Sequence, residues 1–149
     1  MKSYTTEDMK RFNYLTGETE AAYHEAALKL GMPDSAVQVL YAICNHGDSC
    51  PLGEICRLCG ISKQTVNSAL RRLEADGIVY LEVLSGKKKR VCLTQKGQEL
   101  VEKTVVRLIE IENGILGSWS REELELYFEL TKRFLTSFRE KVRELERET

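Results

Sequence analysis

Two short stretches of this 149-residue chain concentrate side chains that make charge-assisted or paired hydrogen bonds. The first begins at Ser62 and carries Lys63, Gln64, Thr65, Asn67, Ser68, Arg71 and Arg72. Amide side chains offer a donor beside an acceptor, and a guanidinium is a planar fork of donors; both suit base edges and phosphates. The second stretch is four consecutive cations, Lys87, Lys88, Lys89 and Arg90. Between Arg57 and Gly97 nine basic residues stand against three acidic ones, Glu74, Asp76 and Glu82. That excess of six lies in a chain of formal net charge −1, so the remainder sums to about −7. Such local asymmetry is the electrostatic footprint of a nucleic-acid contact. The bland alternative is a solvated helix beside a hairpin whose cations block edge-to-edge pairing.

The cysteines are the second place where chemistry could reside. Cys56-x-x-Cys59, with Cys44 and Cys50 upstream, has spacing compatible with a zinc or iron–sulfur site or a thiol redox switch. However, Cys56 and Cys59 fall where a short helix would point into its core, and a buried cysteine behaves as a small hydrophobe. Core packing is the favoured reading, so neither a metal site nor a cofactor is expected. The cysteine count is five, an odd number with no apolar signal-peptide core at the N-terminus, which points to reduced thiols. His24 has no second histidine three or four residues away. No P-loop, Rossmann glycine pattern, nucleophile elbow or His-Glu-x-x-His occurs, and the chain is not expected to be an enzyme.

The elements that must position these residues read as follows. Met9, Phe12, Leu15, Thr19, Tyr23, Ala26 and Leu30 step by three or four, which predicts a helix over 6–30. Gly17 is the expected place for a kink or split, and Gly31-Met32-Pro33 stops the helix. Asp34 is the expected N-cap of a helix over 35–45. Pro51 is the expected first residue of a short helix to Cys59. Gly60 turns the chain into a helix capped by Ser62, with Val66, Ala69, Leu70 and Leu73 as its apolar stripe. Asp76-Gly77 ends it. Ile78 to Leu84 predicts a strand, Ser85 to Arg90 a loop, and Val91 to Leu93 a returning strand. Short helix, glycine turn, helix and hairpin make a winged helix-turn-helix.

Thr94 is the expected cap of the next helix, whose stripe runs Leu100, Val101, Thr104, Val105, Leu108, Ile111, Ile115. Ser120 and Glu123 form a capping box for the last helix, with Trp119 and Leu124 as its hydrophobic staple. Leu124, Thr131, Phe138 and Leu145 stand seven apart, as in a helix packed lengthwise on another. The expected fold is mainly α with a small β-hairpin wing. Its organisation is a helical segment 1–33, a winged helix-turn-helix 34–96 and a helical segment 97–149, the two outer segments forming a two-fold dimer. No apolar run approaches the ~20 residues of a membrane span, so a soluble cytoplasmic protein is expected.

The stretch Gly60-Ile-Ser-Lys-Gln-Thr-Val-Asn-Ser-Ala-Leu-Arg-Arg-Leu-Glu-Ala-Asp-Gly77, the wing, and Val91-Cys-Leu-Thr-Gln-Lys-Gly97 resemble the MarR (multiple antibiotic resistance regulator) family of bacterial transcription factors. The last segment is similar to the family's strand-to-helix junction, Leu-Thr-x-x-Gly. The resemblance covers nearly the whole chain. It implies a homodimer that binds palindromic double-stranded operators, mostly as a repressor, and that many members leave DNA on binding a small effector. It implies a recognition helix over 62–76 and places Tyr23, His24, Tyr41 and Trp119 near the family's ligand cleft. The chain departs from the family in the wing, where Ser85 and Lys87 replace the usual Asp-x-Arg pair. That departure implies a looser, multi-lysine phosphate contact. Family members that sense oxidants or zinc use an early cysteine or paired histidines after the wing, and neither is present here.

Overall fold

The computed structural model describes residues 1–148. They form two compact units, residues 1–109 and the described residues from 110 onward. The first holds α1 (Glu7–Leu30), α2 (Asp34–His46), β1 (Ser49–Pro51), α3 (Leu52–Cys59), α4 (Lys63–Ala75), β2 (Val79–Ser85), β3 (Lys88–Leu93) and α5 (Gln95–Lys103). Helix α6 (Val105–Gly117) runs from the first unit into the second, and α7 (Arg121–Glu148) completes the chain. This is the mainly α winged-helix fold expected from the periodicity.

The core of the first unit is built from α2, α3, α4, the sheet, α5 and the start of α6. Val39, Leu40, Ile43, Cys50, Ile55, Val66, Val79, Val91, Val101 and Val105 are its fully buried side chains. The apolar stripe of α4 is buried as spaced: Val66, Ala69, Leu70 and Leu73.

Several details differ from the sequence expectation. Helix α1 is unbroken through Gly17, around which a Cβ would meet nothing within 4 Å. Pro33, not Asp34, occupies the N-cap position of α2, and Pro51 is the N-cap of α3, not its first helical residue. The sheet has three strands, in the order β1-β3-β2, not two. The third strand is Ser49-Cys-Pro51, paired with Cys92, Val91 and Arg90. A proline is tolerated there because β1 is an edge strand. The helical stripe after the wing is interrupted at Thr104, whose backbone (φ −127°, ψ −86°) leaves the helix. Its N–H bonds Val101 O, and its hydroxyl donates to Leu100 O at 2.8 Å, covering the carbonyl that a regular turn would have bonded.

The junction from wing to α5 explains the Leu-Thr-x-x-Gly spacing. Thr94 caps α5: its Oγ1 accepts from Gly97 N at 2.9 Å. The same residue reaches back to the end of α4. Its N–H donates to Ile78 O at 3.0 Å, and its hydroxyl lies within reach of both Gly77 O and Ile78 O. Gly77 (φ +75°) takes the left-handed position after α4, with Ile78 N bonded to Leu73 O and Gly77 N to Glu74 O. The first turn of α5 then lies directly on that backbone. A Cβ at position 97 would overlap the carbonyl oxygen of Ile78 and meet its carbonyl carbon at 3.0 Å. Only glycine fits.

In the second unit the capping box forms as expected. Glu123 N bonds Ser120 Oγ at 3.1 Å, and Ser120 N donates to Glu123 Oε1 at 2.8 Å. These bonds hold the Glu123 carboxyl below its ordinary pKa. Trp119 meets Tyr127 edge-on at 5.6 Å. Helix α7 keeps a long apolar face exposed, including Leu126, Tyr127, Phe128, Leu130, Phe138 and Leu145.

Candidate nucleic-acid interface

With its apolar stripe buried, α4 can present only its other face. Stepping about 100° per residue, Gln64, Ser68 and Arg71 share the ridge opposite Val66, Leu70 and Leu73. Lys63 and Asn67 flank that ridge on one side, Thr65 and Arg72 on the other. All of these are exposed except Asn67, which is half-buried. The start of α4 has no acidic residue in its first turn, so its positive dipole end is uncompensated. Ser62 caps it, accepting from Thr65 N at 3.1 Å. The hydroxyls of Ser62 and Thr65 also bond each other at 2.8 Å, which ties Thr65 to the cap and leaves Gln64, Ser68 and Arg71 as the outward polar ridge.

The wing is tighter than the sequence implied. Lys88, Lys89 and Arg90 are not loop residues; they lie in β3, and the turn is Gly86-Lys87 alone. The ladder runs in step from Val79↔Leu93 to Val83↔Lys89, then shifts to Ser85↔Lys88. The shift leaves Leu84 as a bulge, and a bulge increases the local twist. Without it, Ser85 would face Lys87 and a single residue would have to turn the chain. Gly86 takes φ +55° as the first turn residue, the requirement of a type II′ hairpin. Because side chains alternate along a strand, the strand cations divide between faces: Lys88 and Arg90 on one, Lys89 on the other.

The census of cations also changes. Arg57 pairs with Glu54 at 3.4 Å, and Lys96 donates to Asp76 O at 2.9 Å. Of the nine central cations these two have internal work. The other seven, Lys63, Arg71, Arg72, Lys87, Lys88, Lys89 and Arg90, form no ion pair among the described residues. They lie on α4 and the wing of one compact unit, and all but the half-buried Arg90 are exposed. Sequence reasoning missed the internal roles of Thr94 and Lys96 toward the α4–β2 turn, because these are long-range contacts.

The other candidate residues are placed as follows. His24 Nδ1 lies 2.7 Å from Asp34 Oδ2, linking α1 to α2. Tyr41 is half-buried against the core; Tyr23 and Trp119 are exposed. Trp119 belongs to the 110–149 unit and the other three to the 1–109 unit. A cavity of about 300 Å³ lies along Glu7, Lys10, Arg11, Tyr14 and Leu15 of α1, and none of the four lines it.

All five thiols are free. Burial pushes Cys44 up to about 11. Burial, then the neighbouring Cys56 and Cys50, pushes Cys59 up to about 11. Burial and Glu54 raise Cys50 as well. At neutral pH these groups are protonated and weakly nucleophilic. Cys50 is fully buried, and Cys44, Cys56 and Cys59 pack against the core. Among the described residues no three histidine, cysteine or acidic side chains are grouped so as to hold a metal ion.

Comparison with known proteins agrees with this geometry. Residues 30–90, the segment from the end of α1 through the wing, match the model of the MarR family. No curated protein matches the chain. Among solved structures, the MarR family regulator NMB1585 from Neisseria meningitidis is similar with a TM-score of 0.82 at 13% identity, covering 93% of this chain and 99% of that one. Sco3205, a MarR family transcriptional regulator from Streptomyces coelicolor in complex with DNA, gives 0.67 at 15% identity, with 91% of each chain covered. NadR in complex with 4-hydroxyphenylacetate gives 0.68 at 15% identity, over 90% of this chain and 96% of that one. Among the described residues no helix is long and apolar enough to cross a membrane.

Proposed function

We propose that this protein, whose residues 30–90 match the MarR family model and whose fold is similar to that of MarR family regulators, is a transcriptional regulator that binds double-stranded DNA in a sequence-specific manner as a homodimer. The observation that carries the reading is the set of seven cations on α4 and the wing that form no ion pair among the described residues, around an outward ridge of Gln64, Ser68 and Arg71. Gln64 and Asn67 suit adenine, and Arg71 suits guanine. Ser62, Lys63, Arg72, Lys87, Lys88, Lys89 and Arg90 supply contacts to the phosphate backbone.

The homodimer is supported by the exposed apolar face of α7. A helix with aromatic and leucine side chains along its length needs a cover, and a second copy of the same surface gives one. In such a dimer the two copies of α4 would sit about one helical turn apart on DNA, ~34 Å, over an inverted repeat. The Sco3205 complex with DNA supports the partner, and the NadR complex with 4-hydroxyphenylacetate supports a small-molecule effector. An effector acts by binding one spacing of the recognition helices better than the other. Repression from a palindromic operator is the mode proposed here.

Selection of the purified protein against a random duplex library at physiological salt tests the proposal. An enriched inverted repeat with half-site centres about 10 base pairs apart is the expected result. Binding without enrichment but with steep salt dependence would overturn sequence-specific regulation. No binding would overturn the DNA partner altogether.

A further inference from the structure

The outer face of the sheet surrounds one of the DNA contacts above, Arg90, with residues to which no role has been given. Glu82 is the one acidic residue on the wing strands, and it stands directly opposite Arg90 in the β2–β3 ladder. On its other side Arg90 faces Pro51 of β1, so it lies in the central strand with a neighbour on each flank. It is half-buried, whereas Lys87, Lys88 and Lys89 are exposed. Alternation puts Tyr80, Glu82, Arg90 and Cys92 on one face. The Cys92 thiol donates to Glu82 Oε2 at 3.6 Å. Burial raises the Cys92 pKa, with Glu82 adding to it and Tyr80 and Arg90 working against it, and the net direction is upward, so the thiol stays a donor. The Glu82 carboxylate is thereby held on the face it shares with Arg90.

Directly opposed side chains have Cβ atoms about 4.5–5.5 Å apart, within reach of a guanidinium and a carboxylate. Yet among the described residues Glu82 and Arg90 form no ion pair within 4 Å. A carboxylate held nearby but not bonded restricts where the guanidinium points while leaving its donors available. We infer that Glu82 is a positioning residue that holds Arg90 as the wing's fixed phosphate-binding cation, while Lys87, Lys88 and Lys89 supply mobile charge. This rests on the DNA-binding reading above. The competing role for Glu82 is that of an acidic side chain beside a polyanion, which weakens binding. The two roles predict opposite signs.

The test measures the affinity of the full chain for a fluorescein-labelled, mixed-sequence duplex three helical turns long, over a range of salt. The variants are Glu82→Gln, Glu82→Ala, Arg90→Ala and the two double mutants. Positioning predicts that Glu82→Gln and Glu82→Ala each weaken binding about two- to fivefold and reduce the salt slope by about one. Both effects should vanish in the Arg90→Ala background. Tighter binding by Glu82→Gln, or equal weakening with and without Arg90, would overturn the inference and leave DNA binding intact. Failure of the unsubstituted protein to bind would overturn the DNA reading itself.

Discussion

Replacing Gly97 with alanine isolates the contact that fixes the wing to the rest of the winged unit. The new methyl would overlap Ile78 O and lie 3.3 Å from Ile78 Cγ2. The obstructing atom is backbone, so no rotamer change relieves it. The first turn of α5 must lift away, which stretches the two bonds from Thr94 to Ile78 O, 3.0 Å from its N–H and 3.1 Å from its hydroxyl. Those bonds are worth about 1 kcal/mol each in net stability. Overpacking typically adds about 1–3 kcal/mol. Alanine is favoured over glycine inside a helix by about 1 kcal/mol, which offsets part of the loss. The balance is a destabilisation of about 2–4 kcal/mol, a large share of the ~5–15 kcal/mol that holds a typical domain together. Urea unfolding followed by circular dichroism, at one fixed protomer concentration, should show the midpoint falling by about 1–2 M with the slope unchanged. Gly17→Ala is the control, since a Cβ there meets nothing within 4 Å. That variant should be stabilised by up to about 1 kcal/mol. If Gly97→Ala matched Gly17→Ala in sign, the close approach of α5 to Ile78 would be refuted.

Three further outcomes follow from named contacts. Ser62→Ala removes the α4 cap and should lower stability by about 1 kcal/mol in the same urea assay, and an unchanged midpoint would show that Thr65 N is satisfied without it. Lys87→Ala removes one exposed turn cation; it should weaken all duplex sequences alike and reduce the salt slope by about one, whereas a changed sequence preference in a repeat selection would contradict a loose phosphate contact. The thiols of Cys44 and Cys59, raised to about 11, should react with iodoacetamide at pH 7 far more slowly than free cysteine. Because their folded pKa exceeds the unfolded value of 9.0, their contribution to stability is complete below about pH 9 and is lost as pH rises toward 11. The alkaline fall in melting temperature should be smaller in Cys44→Ala, and fast labelling at pH 7 would contradict the burial that raises these groups.

What could be read from the sequence divides along physical lines. The helices, their caps and their buried stripes are local properties. Ser62, Thr94 and Ser120 are capping residues because a hydroxyl two or three residues before a helical N–H can bond it, and that needs no tertiary knowledge. Strand β1 was not legible, because Ser49-Cys-Pro51 has no strand pattern of its own and becomes a strand only by pairing with β3. The break at Thr104 was hidden for the converse reason: the apolar stripe continues across it, and the threonine hydroxyl replaces the missing backbone bond.

The charged site shows the same division more sharply. The sequence located every cation but could not say which were committed. Arg57 and Glu54 stand three apart on one helix, a pair that spacing alone suggests. Lys96 holds Asp76 O from twenty residues away, which spacing cannot show. Arg90 and Lys87 look equivalent as letters in a basic run. The ladder separates them: Lys87 stands in the turn, and Arg90 stands mid-sheet opposite the only carboxylate of the wing strands. A run of like charges therefore becomes a graded surface, with mobile charge at its tip and a held guanidinium at its base. It is the strand register, set by the Leu84 bulge and the Gly86 turn, that makes the difference.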